Sequence, residues 1–294
     1  MQTLSQVRRL LDEAGLRPQR RLGQNFLIDG NLMAKLLDLA GPLEGRSVLE
    51  VGPGTGSLTE ELLDRCGRLT AVEADAGLCR LLQRRLGPRA GFTLLCGDVL
   101  AGKHEIAPDV LATAGPETTL VANLPYGVAT PLVASALRLT WATARGTAER
   151  ACRFDRLTFT VQQEVAERLA AGPGCKAYGP LSVLVATLGR LTMGAAVPAT
   201  AFWPRPKVAS RMLRIDFTEE AAEFAALAEL DSLLAAAFGQ RRKRIGSLPG
   251  RCGPALDPGA VRTAMAVAGI DPDARPEDVP SGHYRKAAEM LAGG

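Results

Sequence analysis

The stretch Ser47-Val48-Leu49-Glu50-Val51 runs directly into Gly52-Pro53-Gly54-Thr55-Gly56, and this junction constrains the fold more than any other feature. A short apolar run bounded by a turn signal reads as a buried strand. The glycines let the backbone turn tightly and lie close against a ligand. Ser57 stands three residues before Glu60, the capping-box spacing that opens a helix. A strand, a glycine turn and a helix therefore follow one another here.

The alternation then repeats. Strands are expected at 68–72, 92–96, 118–122, 157–161, 190–195 and 211–217, with helices over 76–86, 162–171 and 181–188. Thr130-Pro131 reads as the N-cap and first residue of a further helix. Repeated β and α units of this length imply an open, largely parallel sheet with helices on both faces. Ligands of such sheets sit beyond the carboxyl ends of the strands. After Thr218 the residues favour helix, over 219–238, 258–268 and 281–291. The expected division is a sheet domain over 1–217 and a small helical domain over 218–294.

Composition narrows the chemistry. Among 294 residues there are only two histidines, His104 and His283, so no metal site is expected and a Ser-His-Asp triad is disfavoured. The six cysteines are scattered and never form C-x-x-C, which suits reduced, buried thiols. The first residues have no apolar signal core, and no apolar run is long enough to span a bilayer. A cytoplasmic protein without a membrane partner is expected. Net charge is +4, so distribution matters more than the sum. Five Lys/Arg and no acid lie between Phe238 and Arg251.

The residues after each strand carry the chemistry. Glu73 follows the second strand, where a carboxylate can accept both hydroxyls of a ribose. Asp98 follows the third, placed to accept from an adenine amino group. A dinucleotide-binding protein would share the glycine loop and the acid, but its fingerprint is G-x-G-x-x-G and position 57 is Ser. After the fourth strand comes Asn123-Leu124-Pro125-Tyr126. Adenine N6 is a poor nucleophile because its lone pair is delocalised into the ring, so it needs acceptors more than a base. The Asn123 side-chain oxygen and a carbonyl beside Pro125 can supply them. Tyr126 offers a flat face for base stacking, worth about 1–3 kcal/mol. A sulfonium methyl donor held by the glycine turn leaves in-line geometry as most of what remains to be provided.

These motifs, taken in order, resemble the small-subunit ribosomal RNA adenine N6,N6-dimethyltransferases, the kasugamycin-resistance family. The matching stretches are Arg20 to Leu27, Glu50 to Gly56, Glu73, Gly97-Asp98, Asn123 to Tyr126, Gln162 to Leu169, Lys176-Ala177-Tyr178-Gly179, Ala201 to Val208 and Phe238 to Lys243. Gly269 to Pro272 and Arg275-Pro276-Glu277 also fit. The resemblance implies a Rossmann-like class I methyltransferase sheet with a small C-terminal helical domain, and S-adenosyl-L-methionine as cofactor.

By the same resemblance, Asn25 and Leu27 close over the methionine end of the cofactor, with Gly52 and Gly54 beneath. Glu73 takes the ribose, Asp98 and Val99 the cofactor adenine. Asn123 and Pro125 hold the target N6, with Asn123 also beside the cofactor. Tyr126 and Phe202 sandwich the flipped base. The implied substrate is a pair of adjacent adenosines in a hairpin loop near the 3′ end of 16S RNA, each methylated twice. The implied partner is that RNA or the immature small subunit, the implied role is in its biogenesis, and the implied state is a monomer.

Phosphate contacts are expected from Arg205, Lys207, Arg241, Arg242, Lys243 and Arg244. Gly127 stands where the family commonly has Asn, and Gly239 also departs from its pattern. Residues 140–156, with Arg145, Arg150, Arg153 and Arg156, read as a solvated insertion. Two other hypotheses are the sister antibiotic-resistance methyltransferase of large-subunit RNA and a non-catalytic RNA-binding relative. The Phe238 to Lys243 and Lys176 to Gly179 segments argue against the first, and intact Gly52, Glu73, Asp98, Asn123 and Tyr126 against the second.

Overall fold

A computed structural model describes residues 1–149, 152–252 and 256–293. Seven strands form one sheet: β1 (Ser47–Val51), β2 (Arg68–Glu73), β3 (Phe92–Cys96), β4 (Glu117–Asn123), β5 (Arg153–Gln162), β6 (Gly189–Val197) and β7 (Ser210–Phe217). Their order is β3-β2-β1-β4-β5-β7-β6. The pairs β1/β2, β2/β3, β1/β4 and β4/β5 are parallel, while β7 lies antiparallel to β5. The chain steps outward from β1 to β3 and returns to β4 on the other side of β1. That reversal leaves a crevice at the carboxyl ends of β1 and β4.

Apolar faces decide the packing. Val48, Leu49, Leu69, Val121, Phe159 and Leu213 are buried in the sheet. Helix α1 (Leu4–Glu13) opens on a capping box in which Thr3 and Gln6 satisfy each other's backbone N–H groups. Helix α2 (Gly30–Ala40) is capped by Asp29 and buries Leu32, Met33, Leu36 and Leu37.

Several expected boundaries are corrected. Helix α3 (Ser57–Leu63) is capped by Gly56 in the left-handed region, not by Ser57. The Ser57 hydroxyl accepts the Gln2 backbone N–H at 3.0 Å instead. Helix α4 (Ala76–Leu86) has the expected bounds and is capped by Asp75, while α5 (Pro108–Ala114) opens on a proline with no side-chain cap. Helix α6 (Ala129–Ala144) starts one residue before Thr130 and takes in 140–144 of the presumed insertion, whose last residues, 153–156, belong to β5. Arg145 there lies over the Trp141 ring, and Arg156 pairs with Asp216 at 3.3 Å. These are structural engagements. Arg150 lies outside the described residues.

The chain divides into two compact units, Met1–Ala166 with Leu191–Phe217, and Glu167–Arg190 with Thr218–Gly294. A single cut after residue 217 is therefore corrected for 167–190. The second unit contains the second half of α7 (Gln163–Ala170), then α8 (Pro180–Leu188), α9 (Glu219–Glu223), α10 (Leu227–Phe238), α11 (Pro258–Val267) and α12 (Ser281–Ala292). The expected single helix over 219–238 is broken between α9 and α10, where Phe224 turns inward and is buried.

Side chains explain why 167–190 joins this unit. The Phe238 ring lies 6.2 Å from Tyr178 and 5.9 Å from Tyr284, centroid to centroid. The Tyr178 hydroxyl donates to the Val279 carbonyl at 3.0 Å, and the Tyr284 hydroxyl to the Pro276 carbonyl at 2.9 Å. Buried aromatics with satisfied hydroxyls define a core of their own. Among the described residues no helix is long and apolar enough to cross a membrane.

Candidate active site

A cavity of about 460 Å³ opens at the crevice beside β1 and β4. Every expected cofactor and target-base residue lines it: Asn25, Leu27, Gly52, Gly54, Glu73, Asp98, Val99, Asn123, Pro125, Tyr126 and Phe202.

The floor is the turn after β1. Gly52 and Gly54 have φ of 72° and 62°, a region that L side chains rarely adopt. A Cβ on Gly52 would meet the Pro125 ring at 2.9 Å, and one on Gly54 would meet the Phe26 ring at 2.8 Å. The turn thus packs against the Pro125 and Phe26 rings with no room for a side chain at either glycine. The turn is fixed by Glu73, whose Oε2 accepts the Gly54 N–H at 3.1 Å while Oε1 accepts the Asp75 N–H at 2.9 Å. Burial raises the Glu73 pKa, and these backbone N–H groups oppose the rise.

A link that sequence reasoning missed runs through Asp75. Its Oδ1 caps α4, and its Oδ2 accepts from Gln19 at 2.6 Å and Gln24 at 3.0 Å. Burial works against the ionised form, yet the bonds from Gln24, Leu78 and Gly77 and the charge of Arg21 hold its carboxyl below the usual range. Gln24 is thereby anchored beside Asn25. An Asp at an N-cap was a readable signal; its second pair of bonds was not, because its partners lie far back in the chain.

At the tip of β4, the Asn123 Nδ2 donates to the Asn25 carbonyl at 3.2 Å. That bond orients the amide, and among the described residues no donor is bonded to its Oδ1. The Pro125 carbonyl accepts the Val128 N–H at 3.2 Å, leaving one lone pair. The Tyr126 hydroxyl lies 3.3 Å from Ser210 Oγ, and burial pushes its pKa up. Phe202 arrives by a two-residue antiparallel pairing, in which Leu27 faces Phe202 and Phe26 faces Trp203. Val99 is buried; Asp98 is exposed and accepts the Leu100 N–H at 3.0 Å. Glu50 also lines the cavity, fully buried, with Oε2 unpartnered.

The expected RNA contacts divide. Arg205 and Lys207 are exposed on the strap after Phe202. In the second unit Arg241 is committed internally: it pairs with Glu277 at 3.3 Å and donates to the Lys176 carbonyl at 2.8 Å. The structure places Arg241 in an internal pair, where a phosphate contact was expected. Arg244 pairs with Asp273 at 2.6 Å, both highly exposed. Arg242 and Lys243 are exposed.

Comparison with known proteins agrees with this geometry. The family model described as ribosomal RNA adenine dimethylase matches residues 15–292. The ribosomal RNA small subunit methyltransferase A of Anaeromyxobacter sp. (strain K) is 39% identical over 277 residues, covering 92% of each chain. Its namesake from Streptomyces griseus is 38% identical, covering 96% of this chain and 92% of the relative. Among solved structures, the 23S rRNA methyltransferase ErmE superposes with a TM-score of 0.66 at 25% identity, over 91% of this chain and 100% of the other. A dimethyladenosine transferase from Plasmodium falciparum gives 0.67 at 21% identity, over 89% and 95%.

Proposed function

Because the chain belongs to the ribosomal RNA adenine dimethylase family, we propose that it dimethylates the N6 of two adjacent adenosines in a hairpin loop near the 3′ end of 16S RNA. The RNA is presented free or within an immature small subunit, and the protein acts as a monomer in the cytoplasm. One observation carries this reading. A single cavity joins the glycine turn and Glu73 to the Asn123–Tyr126 tip and Phe202.

The residues fit S-adenosyl-L-methionine. Gly52 and Gly54 line the cavity without side chains, as their contact with the Pro125 and Phe26 rings requires. Glu73, held at both oxygens by backbone N–H groups, keeps lone pairs for a ribose diol. Asp98 can accept from the adenine amino group and Val99 packs its ring. Asn25 and Leu27 close the methionine end. The bound cofactor supplies a methyl group already activated on a sulfonium.

The protein's own contribution is placement. The Asn123 Oδ1 and the carbonyl of Leu124 or Pro125 accept the two N6 hydrogens. They draw the nitrogen lone pair out of conjugation and aim it along the transfer axis. Half-buried Tyr126 and, at the cavity wall, Phe202, 3% exposed, are the rings that flank a base taken out of its stack. No base is required, because the alkylated nitrogen is strongly acidic and its proton leaves to water. Arg205, Lys207, Arg242, Lys243 and the loosely held Arg244 are the phosphate contacts of this reading.

The deciding experiment supplies purified protein with methyl-labelled cofactor and undermethylated small and large subunits, then maps the label. Two neighbouring dimethyladenosines in the 3′ hairpin are expected. Label on large-subunit RNA alone would transfer the assignment to the sister specificity that the likeness to ErmE offers.

A further inference from the structure

We propose that Glu50 tells the charged methyl donor from its spent thioether product: it stands uncharged in the ligand-free cavity and releases its proton when a sulfonium fills the space. The inference rests on the cofactor reading above and deepens it.

Glu50 belongs to β1, two residues before Gly52, with 1% of its surface exposed. It faces the same cavity as Glu73, so two carboxyl groups share one enclosed space. Among the described residues Oε2 of Glu50 has no hydrogen-bond partner, whereas both oxygens of Glu73 have one. An unpartnered buried carboxylate is costly, and two close carboxylates do not both ionise readily. Glu50 is the member of the pair that stays protonated.

The groups around it supply no compensating charge. Thr59 on α3 offers only a hydroxyl, and Cys66 is a thiol that burial pushes to about 11. Asp98 adds a further acid to the lining. Arg21, the cation of that lining, is exposed and donates to Gln19 at 2.9 Å. Burial is the main cause that lifts Glu50 to about 8; the nearby Thr59 hydroxyl opposes it and the Glu73 charge adds to it.

A cation entering this acid-lined space favours the ionised carboxyl, so it binds with loss of a proton. Donor and product share the same amino-acid zwitterion and differ at sulfur, positive in one and neutral in the other. Donor affinity should therefore climb with pH until Glu50 is ionised in the empty protein as well, near pH 8. Product affinity should follow a shallower curve. The neutral thioether is then favoured least where Glu50 is already charged.

The test is calorimetry on the full chain with S-adenosyl-L-methionine and S-adenosylhomocysteine at pH 7, in buffers of different ionisation enthalpy. With Glu50 at about 8, roughly 0.9 proton should leave per donor bound, and clearly fewer per product. The donor Kd should fall about tenfold from pH 6 to pH 7 and level off above pH 8. Glu50→Gln should abolish the donor-linked release. Equal release with both ligands, or release that persists in Glu50→Gln, would overturn the proposal while leaving the cofactor assignment intact. Absence of donor binding would overturn both. If the variant does not fold, the two-ligand comparison on the unmodified protein decides alone.

Discussion

The carboxyl ends of the sheet strands and the basic run after α10 were both expected to be functional, and they turn out to be built in different ways. At the strand ends, backbone geometry delivers the side chains. β1, β2, β3 and β4 end beside one cavity, and residues at or just past those ends line it: Gly52, Glu73, Asp98 and Asn123. In the basic run, composition alone made the argument, and an arginine there is free to find partners of its own. Arg241 spends its guanidinium on Glu277 and on the carbonyl of Lys176, while Arg242 beside it is exposed. Position after a strand is thus a sharper guide to chemistry than local charge density, because the sheet fixes the first and nothing local fixes the second.

The contrast makes the strand-end residues the place for the largest losses. Asn123→Ala should reduce methyl transfer by about 10³-fold, the scale for a lost preorganised partner of the reacting group. Because its Nδ2 also holds the Asn25 carbonyl, a few-fold weakening of cofactor binding should accompany the loss. Single-turnover rates at saturating cofactor separate the two effects, and a near-normal rate would remove Asn123 from the reacting centre. Glu73→Ala comes next. Losing a charged acceptor, worth about 1.5–3 kcal/mol, should weaken cofactor binding by about 10- to 100-fold. Calorimetry that returned an unchanged Kd would place the ribose elsewhere.

What could be read from the sequence follows the same division. The seven strands, the glycine turn and Glu73, Asp98 and Asn123 were legible because each is encoded within a few neighbouring residues. Phe202 was not. It reaches the cavity by pairing with Leu27 across most of the sheet unit, and its position in the chain betrays nothing without the family resemblance. The Gln24–Asp75 bond is non-local in the same sense. Other omissions had local signals that went unused: Thr3 and Gln6 form a capping box, and Asp29 caps α2. The grouping of 167–190 with the C-terminal helices was hidden for a further reason. Tyr178 and the apolar face of α8 declare that they are buried, but not against which element.

The smallest effects separate neighbours inside the basic run. Arg242→Ala with Lys243→Ala should weaken RNA binding and make its salt dependence shallower by about 1.5, from roughly 0.7–0.9 per lost phosphate contact. The fold should be unaffected, since both side chains are exposed. Arg241→Ala should do the reverse. Its pair with Glu277 is partly exposed, at 36% and 20%, so screening holds the ion pair itself to about 1 kcal/mol or less. The carbonyl bond at Lys176 adds about as much again. The chain should therefore melt a few degrees lower while the salt slope of RNA binding stays where it was. Thermal melts and binding titrations at four or five salt concentrations read both quantities on the same samples. A slope that fell with Arg241→Ala would mean that RNA draws the guanidinium away from Glu277, and the internal commitment seen here would then describe only the RNA-free protein.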